Sequence, residues 1–215
     1  MALARKSRLP YSWTLALMQR RTIITLIMAT YVGGFITGGI STGLLDHDTF
    51  AALRSYLLDT VAQIGEVGTG YPDWRWVLLD EVLKPAGLMW LLGLTVAGMP
   101  LIAAVVFLHG YVLGFSFAYI VKALVWRGIL LTFVALAPHN LLVVPGLILA
   151  ATGAASFSLG ALRIVLGRPG SRDIFMHLRA EGAIALVGCM LLLLGALFAA
   201  YITPGMTAFI CRFLL

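Results

Sequence analysis

Few residues of this chain combine a side-chain type and a spacing that could support chemistry. The run Asp46–Asp48, with a histidine between two aspartates, offers metal-ligand types, but three consecutive side chains rarely converge on one ion. His139 is the only histidine expected at membrane depth, and as a catalytic base it would need a positioned nucleophile. The nearby hydroxyls of Thr132 and Ser156 show no recognisable spacing. We therefore predict no catalytic residue, no metal site and no cofactor, and we expect that the protein is not an enzyme.

The composition indicates a membrane protein. Of the 215 residues, 61% are apolar and 11% are charged, whereas a soluble domain usually carries about 25% charged residues. The mean hydropathy is +1.00. These values exclude a soluble globular domain, a disordered chain and a secreted disulfide scaffold. We expect a single integral membrane domain over residues 1–215.

Four long stretches of the chain carry no charged residue, and their lengths set the number of membrane spans. They hold 24, 37, 35 and 30 residues. One helical span needs about 20 residues, so the second stretch must fold back once, and the third is ambiguous. We predict an all-α polytopic bundle of about five spans. The predicted spans are about Thr22–Leu45, Ala86–Leu108, Tyr111–Trp126, Pro145–Leu162 and Gly182–Ile202.

The charged segments between these stretches indicate the orientation. Segments 1–21 and 163–180 are basic, whereas segment 46–84 holds seven of the nine acids. Because short basic segments stay cytoplasmic, we expect a cytoplasmic stub, a cytoplasmic loop and an extracytoplasmic segment, respectively, with the C-terminus outside. Lys122 and Arg127 lie outside in this scheme and depart from the rule. The excess of basic over acidic residues favours contact with anionic membrane lipid. No nucleic-acid partner is expected, since no basic patch carries interleaved aromatic residues.

The third apolar stretch is the most irregular part of the chain. Gly128–Ala137 is too short to span a membrane, and we interpret it as an elbow or half-helix. Pro138, His139 and Asn140 then interrupt the stretch, and a helix restarts near Pro145. Irregular backbone at membrane depth is tolerated only where it is buried in protein or lines a wet cavity. We expect a polar packing node at this structural break, where these residues satisfy backbone groups.

Small residues at helical spacing predict close helix packing. Gly34 and Gly38 lie four residues apart in the first span, and Gly110 and Gly114 do so at the start of the third. Such pairs let helix backbones approach closely in lipid. Packing within the bundle is the favoured interpretation, and a homodimer face is the alternative. The pair His109-Gly110 predicts a tight turn between the second and third spans.

The extracytoplasmic segment contains an amphipathic helix. Phe50, Leu53 and Leu57 recur at helical spacing, so we expect this helix on the membrane surface or against the bundle. A second short helix carries Trp74 and Trp76. Interfacial tryptophans usually anchor a protein at the headgroup level. The alternative is that these five residues belong to a docking surface for an extracytoplasmic partner.

Three ordered blocks of sequence resemble the stage II sporulation protein M family. The first runs through Gly87–Thr95 and continues at Gly98–Pro100, the second is Phe107–Phe115, and the third is Ala137–Pro145. Their order and spacing, over roughly residues 86–160, are similar to those of the family. The basic N-terminal stub, the single first span and the extracytoplasmic segment also fit this resemblance.

One block departs from the wider family. That family often has Pro-His-Gly followed by a glutamate before the next proline. In this chain Asn140 replaces the glycine and Val143 occupies the glutamate position. The departure resembles the sporulation branch of the family.

The resemblance implies a function that composition alone does not show. Members of the sporulation branch are polytopic, non-enzymatic membrane proteins that hold two cell-wall-degrading proteins, stage II sporulation proteins D and P, at the division septum. We therefore expect a plasma-membrane scaffold for these peptidoglycan hydrolases at the sporulation septum and engulfing membrane, active in septal wall thinning and forespore engulfment. The alternative is a transmembrane subunit of a transporter or channel, which the broken third stretch suggests. The lack of acids within the spans argues against proton-coupled transport.

Overall fold

The computed structural model describes residues 11–67, 73–95, 98–166 and 174–214, and these residues are helical apart from short connections. Four of the described helices are long and apolar enough to cross a membrane, over Arg20–Ser41, Gly98–Leu124, Ala137–Leu162 and Glu181–Tyr201. The predicted all-α polytopic helix bundle is therefore confirmed. The helices are α1 (Tyr11–Ser41), α2 (His47–Val67), α3 (Trp74–Leu78), a π-helical segment (Leu79–Leu83), α4 (Lys84–Gly93), α5 (Gly98–Leu124), α6 (Trp126–Ala135), α7 (Ala137–Val165), α8 (Ile174–Tyr201) and α9 (Thr203–Leu214).

Helices α1 and α5 pack along each other and run in the same direction. Gly34 of α1 lies against the backbone of Phe107 in α5. One turn later in both helices, Gly38 lies against the backbone of Tyr111. Because both residue numbers increase together, the two helices are parallel. A Cβ on either glycine would collide with the backbone of α5, so the missing side chains permit this close approach.

Two glycines of α5 form the other half of this contact. Gly110 faces the backbone of Tyr31, and Gly114 faces the backbone of Phe35. The structure thus brings the four glycines predicted to serve helix packing into one interface within the chain. In this arrangement α5 already covers Gly34 and Gly38, which leaves them no room for a second copy of α1.

Helices α7 and α8 pack along each other in opposite directions. Gly153 of α7 lies against Glu181 and Ala185 near the start of α8, whereas Val143, near the start of α7, lies against Gly195. The later half of α7 therefore lies beside the first turns of the α8 span.

Two opposite ends of the bundle can be defined by specific contacts. At the first, the Arg20 guanidinium donates a hydrogen bond to the Glu181 carboxylate at 2.8 Å and ties α1 to α8. At the second, Lys122 Nζ of α5 donates to the carbonyl oxygen of Thr42, just past α1, at 3.0 Å. We call these the Arg20 end and the Thr42 end.

The segment Trp74–Gly93 leads from α2 to the Arg20 end. It comprises α3, the π-helical segment and α4, and its 20 residues span about 30 Å at helical rise. Gly93 lies against Ala154 of α7, and just beyond it the carbonyl oxygen of Thr95 accepts a hydrogen bond from Ser158 Oγ at 2.8 Å. From there the chain returns through α5 to the Thr42 end.

The prediction of a tight turn at His109-Gly110 is wrong, because both residues lie in the middle of the continuous helix α5. The second apolar stretch instead folds back between Gly93 and Gly98. Pro100 lies in the first turn of α5, where a missing N–H costs no helical hydrogen bond. Gly110 serves the close approach to α1 rather than a turn. The predicted second and third spans, Ala86–Leu108 and Tyr111–Trp126, therefore fall together on α4 and α5, and of these two helices α5 is long and apolar enough to cross a membrane.

The predicted half-helix is present as α6, but the break does not lie at the predicted residues. It lies at Leu136, between α6 and α7. Pro138, His139 and Asn140 form the first turn of α7, and Pro145 lies inside that helix without ending it. Since a proline in the first turn needs no N–H partner, Pro138 begins the helix instead of interrupting it.

The main core lies where α4, α5, α7 and α8 meet. Met89, Ile102, Leu147 and Leu192 are fully buried there, one from each helix. Helix α7 is the most enclosed of the long helices, and its middle is made of small residues. The basic stub 1–21 and loop 163–180, as predicted from the sequence, lie partly outside the described residues.

Candidate docking surface

Helix α2 lies against the Thr42 end of the bundle and buries its apolar face there. Val61 is buried together with Leu131 of α6 and Cys211 of α9, and Leu57 and Ile64 pack around them. Of the two locations expected for the amphipathic helix, the structure therefore has the one against the bundle. This packing gives α2 a fixed orientation, with one face toward the bundle and one away from it.

The five residues predicted to form a docking surface divide between packed and exposed positions. Phe50, Leu53 and Leu57 are half-buried on the inner face of α2. Trp76 of α3 is 67% exposed, and the side chain of Trp74 lies outside the described part of the structure. The three half-buried residues hold α2 in place, whereas Trp76 presents its ring at the surface. A partner-binding role for these residues stays a prediction.

The outer face of α2 carries a line of carboxylates that the sequence reasoning missed. Asp48, Ser55, Asp59 and Glu66 lie within about 20° of one line along the helix, since 18 residues make five turns. All four are exposed, and the neighbouring Tyr56 is 75% exposed. The carboxylates of Asp48, Asp59 and Glu66 form no ion pair with any described residue. We call Asp48, Ser55, Tyr56, Asp59 and Glu66 the outer face. The sequence signal for this face was the helical spacing of these residues on the side opposite the apolar stripe.

Two cations at the Thr42 end bind carbonyl oxygens at the ends of helices. Lys122 donates to Thr42, and Arg54 Nε of α2 donates to the carbonyl oxygen of Ala123, in the last turn of α5, at 3.1 Å. A helix C-terminus has unpaired carbonyl groups and a partial negative charge, so a cation stabilises it. The departure of Lys122 from the charge rule therefore has a structural reason. Arg127, the other departure, is exposed on α6.

The C-terminal helix α9 was not expected from the sequence, in which the last predicted span ends at Ile202, just before Pro204. This proline instead stands in the first turn of α9. The helix is amphipathic: Cys211 is fully buried against α2 and α6, whereas Phe209 and Arg212 are exposed. Burial raises the pKa of the Cys211 thiol above its usual value. A proline in the first turn and an arginine in the last were the sequence signals for this helix.

The junction between α6 and α7 contains the polar contact expected near the break. Asn140 Nδ2 donates to the carbonyl oxygen of Leu136 at 2.8 Å and lies 3.3 Å from His139 Nε2. The expectation that polar residues here satisfy a backbone group is thus confirmed for Asn140. Thr132 Oγ1 donates to the Gly128 carbonyl oxygen one turn earlier, so this hydroxyl is occupied within α6. Among the described residues, no three histidine, cysteine or carboxylate side chains are grouped to hold a metal ion.

Comparison with protein families supplies the relationship that geometry alone does not. The model of the family described as stage II sporulation protein M matches residues 27–204. The chain belongs to the stage II sporulation protein M family. The match runs from α1 into the start of α9, and it contains all three blocks that carried the resemblance. Membership in the stage II sporulation protein M family, with four helices able to cross a membrane, makes this a sporulation-related membrane protein. No curated protein and no solved structure matches the chain.

Proposed function

We propose that this protein is a non-enzymatic scaffold that recruits and positions peptidoglycan hydrolases, namely stage II sporulation proteins D and P. It acts at the sporulation septum and the engulfing membrane, where wall thinning accompanies forespore engulfment. The observation that carries the proposal is the family match over residues 27–204. The packed platform of α2, α6 and α9 at the Thr42 end supports it, because a scaffold needs a rigid surface outside the membrane.

In this proposal the chain crosses the plasma membrane five times. The four long helices supply four crossings. Because α1 and α5 are parallel, the chain must also return across the membrane between them, and Trp74–Gly93 has about the length of a bilayer core. Arg20 and Arg21 favour a cytoplasmic location for the Arg20 end. The platform and the C-terminus then lie on the extracytoplasmic side, where the wall is.

The surface proposed to meet the hydrolases consists of the outer face of α2 and the exposed ring of Trp76. Tyr56 and Trp76 are the aromatic residues of this surface, and both are largely exposed. Exposed aromatic rings often carry much of the binding energy of protein interfaces. Phe50, Leu53 and Leu57 contribute indirectly in this proposal, because they hold α2 against the bundle.

The experiment is co-purification of the D and P proteins with the tagged full chain from detergent-solubilised membranes. We expect recovery of at least one hydrolase with the wild-type chain and a loss of recovery with the double variant Tyr56→Ala and Trp76→Ala. The matched control is Trp126→Ala, which removes an equally exposed tryptophan outside this surface. Recovery should be unchanged for this control.

Two results would contradict the proposal at different levels. If neither hydrolase is recovered with the wild-type chain in sporulating cells, the scaffold function is wrong. If recovery is unchanged in the double variant, the scaffold remains but its docking surface lies elsewhere. The alternative function, a transmembrane subunit of a transporter or channel, stays a prediction; solute passage through the reconstituted chain would support it.

A further inference from the structure

Side chains from α2 and α5 form a cationic cluster at the Thr42 end. The Lys122 Nζ atom lies 4.8 Å from the centroid of the Phe50 ring, and this ring meets the Tyr119 ring edge-on with centroids 5.9 Å apart. Arg54, one helical turn after Phe50, interacts electrostatically with the Tyr119 hydroxyl. We call Phe50, Arg54, Tyr119 and Lys122 the cationic cluster.

Both cations of the cluster are held in place and still have donors to offer. Arg54 uses Nε to bind the Ala123 carbonyl oxygen, and Lys122 uses one ammonium hydrogen to bind that of Thr42. The two terminal NH₂ groups of the guanidinium and two ammonium hydrogens remain. Within the described part of the chain, neither cation forms an ion pair with a carboxylate. Two like charges repel, so an anion between them would be attracted by both.

A buried hydroxyl of the cluster also lacks a hydrogen-bond acceptor. Tyr119 is only 7% exposed, and among the described residues its hydroxyl has no hydrogen-bond partner. Buried polar groups in folded proteins are almost always paired, so an unpaired one needs a specific reason. An oxygen atom of a ligand bound at the cationic cluster beside this hydroxyl would accept the missing hydrogen bond.

The location of the cluster indicates what kind of anion could reach it. It lies at the ends of α1 and α5, two of the four helices able to cross a membrane. In the proposed five-crossing topology, on which this step rests, these ends lie at the boundary between the membrane and its aqueous surroundings. Trp126, four residues after Lys122, is 68% exposed, and exposed tryptophans at the ends of membrane helices lie at the headgroup level. The phosphate groups of phospholipids lie at this same level.

We propose that the cationic cluster binds the phosphate group of an anionic phospholipid headgroup. Arginine and lysine are the side chains that most often bind phosphate, and a guanidinium can offer two parallel donors to it. The Tyr119 hydroxyl donates a further hydrogen bond to the same phosphate group. This lipid site is separate from the outer face of α2 and does not depend on the hydrolases.

The test uses the full chain purified in a neutral detergent and titrated with phosphatidylglycerol. Lipid retention is measured by native mass spectrometry, and thermal unfolding is followed in parallel. Wild type should retain the lipid and melt at a higher temperature in its presence, whereas zwitterionic phosphatidylcholine should bind more weakly. The double variant Arg54→Gln and Lys122→Gln should bind phosphatidylglycerol about tenfold or more weakly, because it loses two charge-assisted contacts.

Matched variants separate lipid binding from helix stabilisation. Arg127→Gln removes the same charge from an exposed cation on α6 and should leave retention unchanged. Tyr119→Phe keeps the ring packing and both cations, so it should fold normally and still bind the lipid several-fold more weakly. This variant keeps the proposal testable if the double variant does not fold.

Three results would overturn the proposal. One is equal lipid retention by wild type, the double variant and Tyr119→Phe. Another is stabilisation by inorganic phosphate without any retention of phosphatidylglycerol, which would assign the cluster to a soluble anion. The third is loss of hydrolase recovery in the double variant with unchanged lipid retention, which would assign it to a carboxylate of a protein partner.

Discussion

The backbone of Phe35 in α1 lies directly against Gly114 of α5, with no room for a side chain between them. This contact belongs to a parallel pair of helices, and the parallel arrangement has consequences for the whole chain. Two consecutive long helices that run in the same direction need a return segment between them. In this protein the return is made by a composite of α3, a π-helical segment and α4 rather than by one long helix.

Gly34→Ala should destabilise the protein, because its Cβ would collide with the carbonyl group of Phe107 and force α1 away from α5. Overpacking of this kind costs about 1–3 kcal/mol. The matched control is Gly33→Ala, since nothing lies within 4 Å of a Cβ at Gly33. It should be neutral or slightly stabilising, because alanine is the better helix former. Thermal unfolding in detergent measures both variants, and equal melting temperatures would contradict the predicted helix contact.

Composition and hydrophobic spacing were enough to predict the all-α bundle and the amphipathic helix α2, because lipid and water select for both directly. They could not locate the turn in the second apolar stretch. Every residue near it is apolar or small, so hydropathy does not distinguish a turn at Gly110 from one before Gly98. Only the approach of the Tyr31 backbone shows that Gly110 is a packing residue.

The cationic cluster could not be predicted from the sequence for a related reason. Its members come from two helices that are far apart in the chain, and the pairing of Arg54 with Ala123 depends on how α2 docks. In the sequence, Lys122 was only an exception to a charge rule. The structure explains it through the end of α1, a neighbour that no local pattern reveals.

The ion pair between Arg20 and Glu181 should contribute measurably to stability. The arginine side chain is 31% exposed and that of the glutamate 14%, so solvent screening is only partial. A double-mutant cycle with Arg20→Gln and Glu181→Gln should give a coupling free energy of about 1 kcal/mol from chemical unfolding. Arg21→Gln, at an exposed neighbouring arginine, serves as the control and should show no coupling to Glu181→Gln. A coupling near zero for Arg20 would mean that the pair only follows the helix packing.

Asn140→Leu should lower the melting temperature, because the Leu136 carbonyl oxygen loses its side-chain donor at the junction of α6 and α7. Loss of a buried hydrogen-bond partner costs about 1–3 kcal/mol. Leu141→Ala is the control at the next position, where the side chain is 77% exposed and its removal should change little. An unchanged melting temperature for Asn140→Leu would show that the backbone N–H of residue 140, which also donates to this carbonyl oxygen at 3.4 Å, satisfies it without the side chain.

Cys211 should react slowly with maleimide as long as α9 stays packed on α2. Burial hides the sulfur and raises the pKa of the thiol, so less thiolate is present at neutral pH, and labelling should continue to accelerate above the usual thiol pKa. The rate is measured in a Cys189→Ala background. Phe209→Cys, on the exposed side of the same helix and with Cys211→Ala, should react at least about tenfold faster. Leu57→Ala should accelerate labelling of Cys211 by loosening this contact; equal rates for buried and exposed positions would contradict the packing of α9.

The five-crossing topology predicts that Ser55 and Thr95 lie on opposite sides of the membrane. Both residues are exposed, and Trp74–Gly93 separates them along the chain. In a chain without its native cysteines, a membrane-impermeant maleimide should label Ser55→Cys in intact cells. It should label Thr95→Cys only after the membrane is permeabilised. If the segment between them did not cross, both positions would react alike, either in intact cells or only after permeabilisation, and the parallel α1 and α5 could not both be membrane spans.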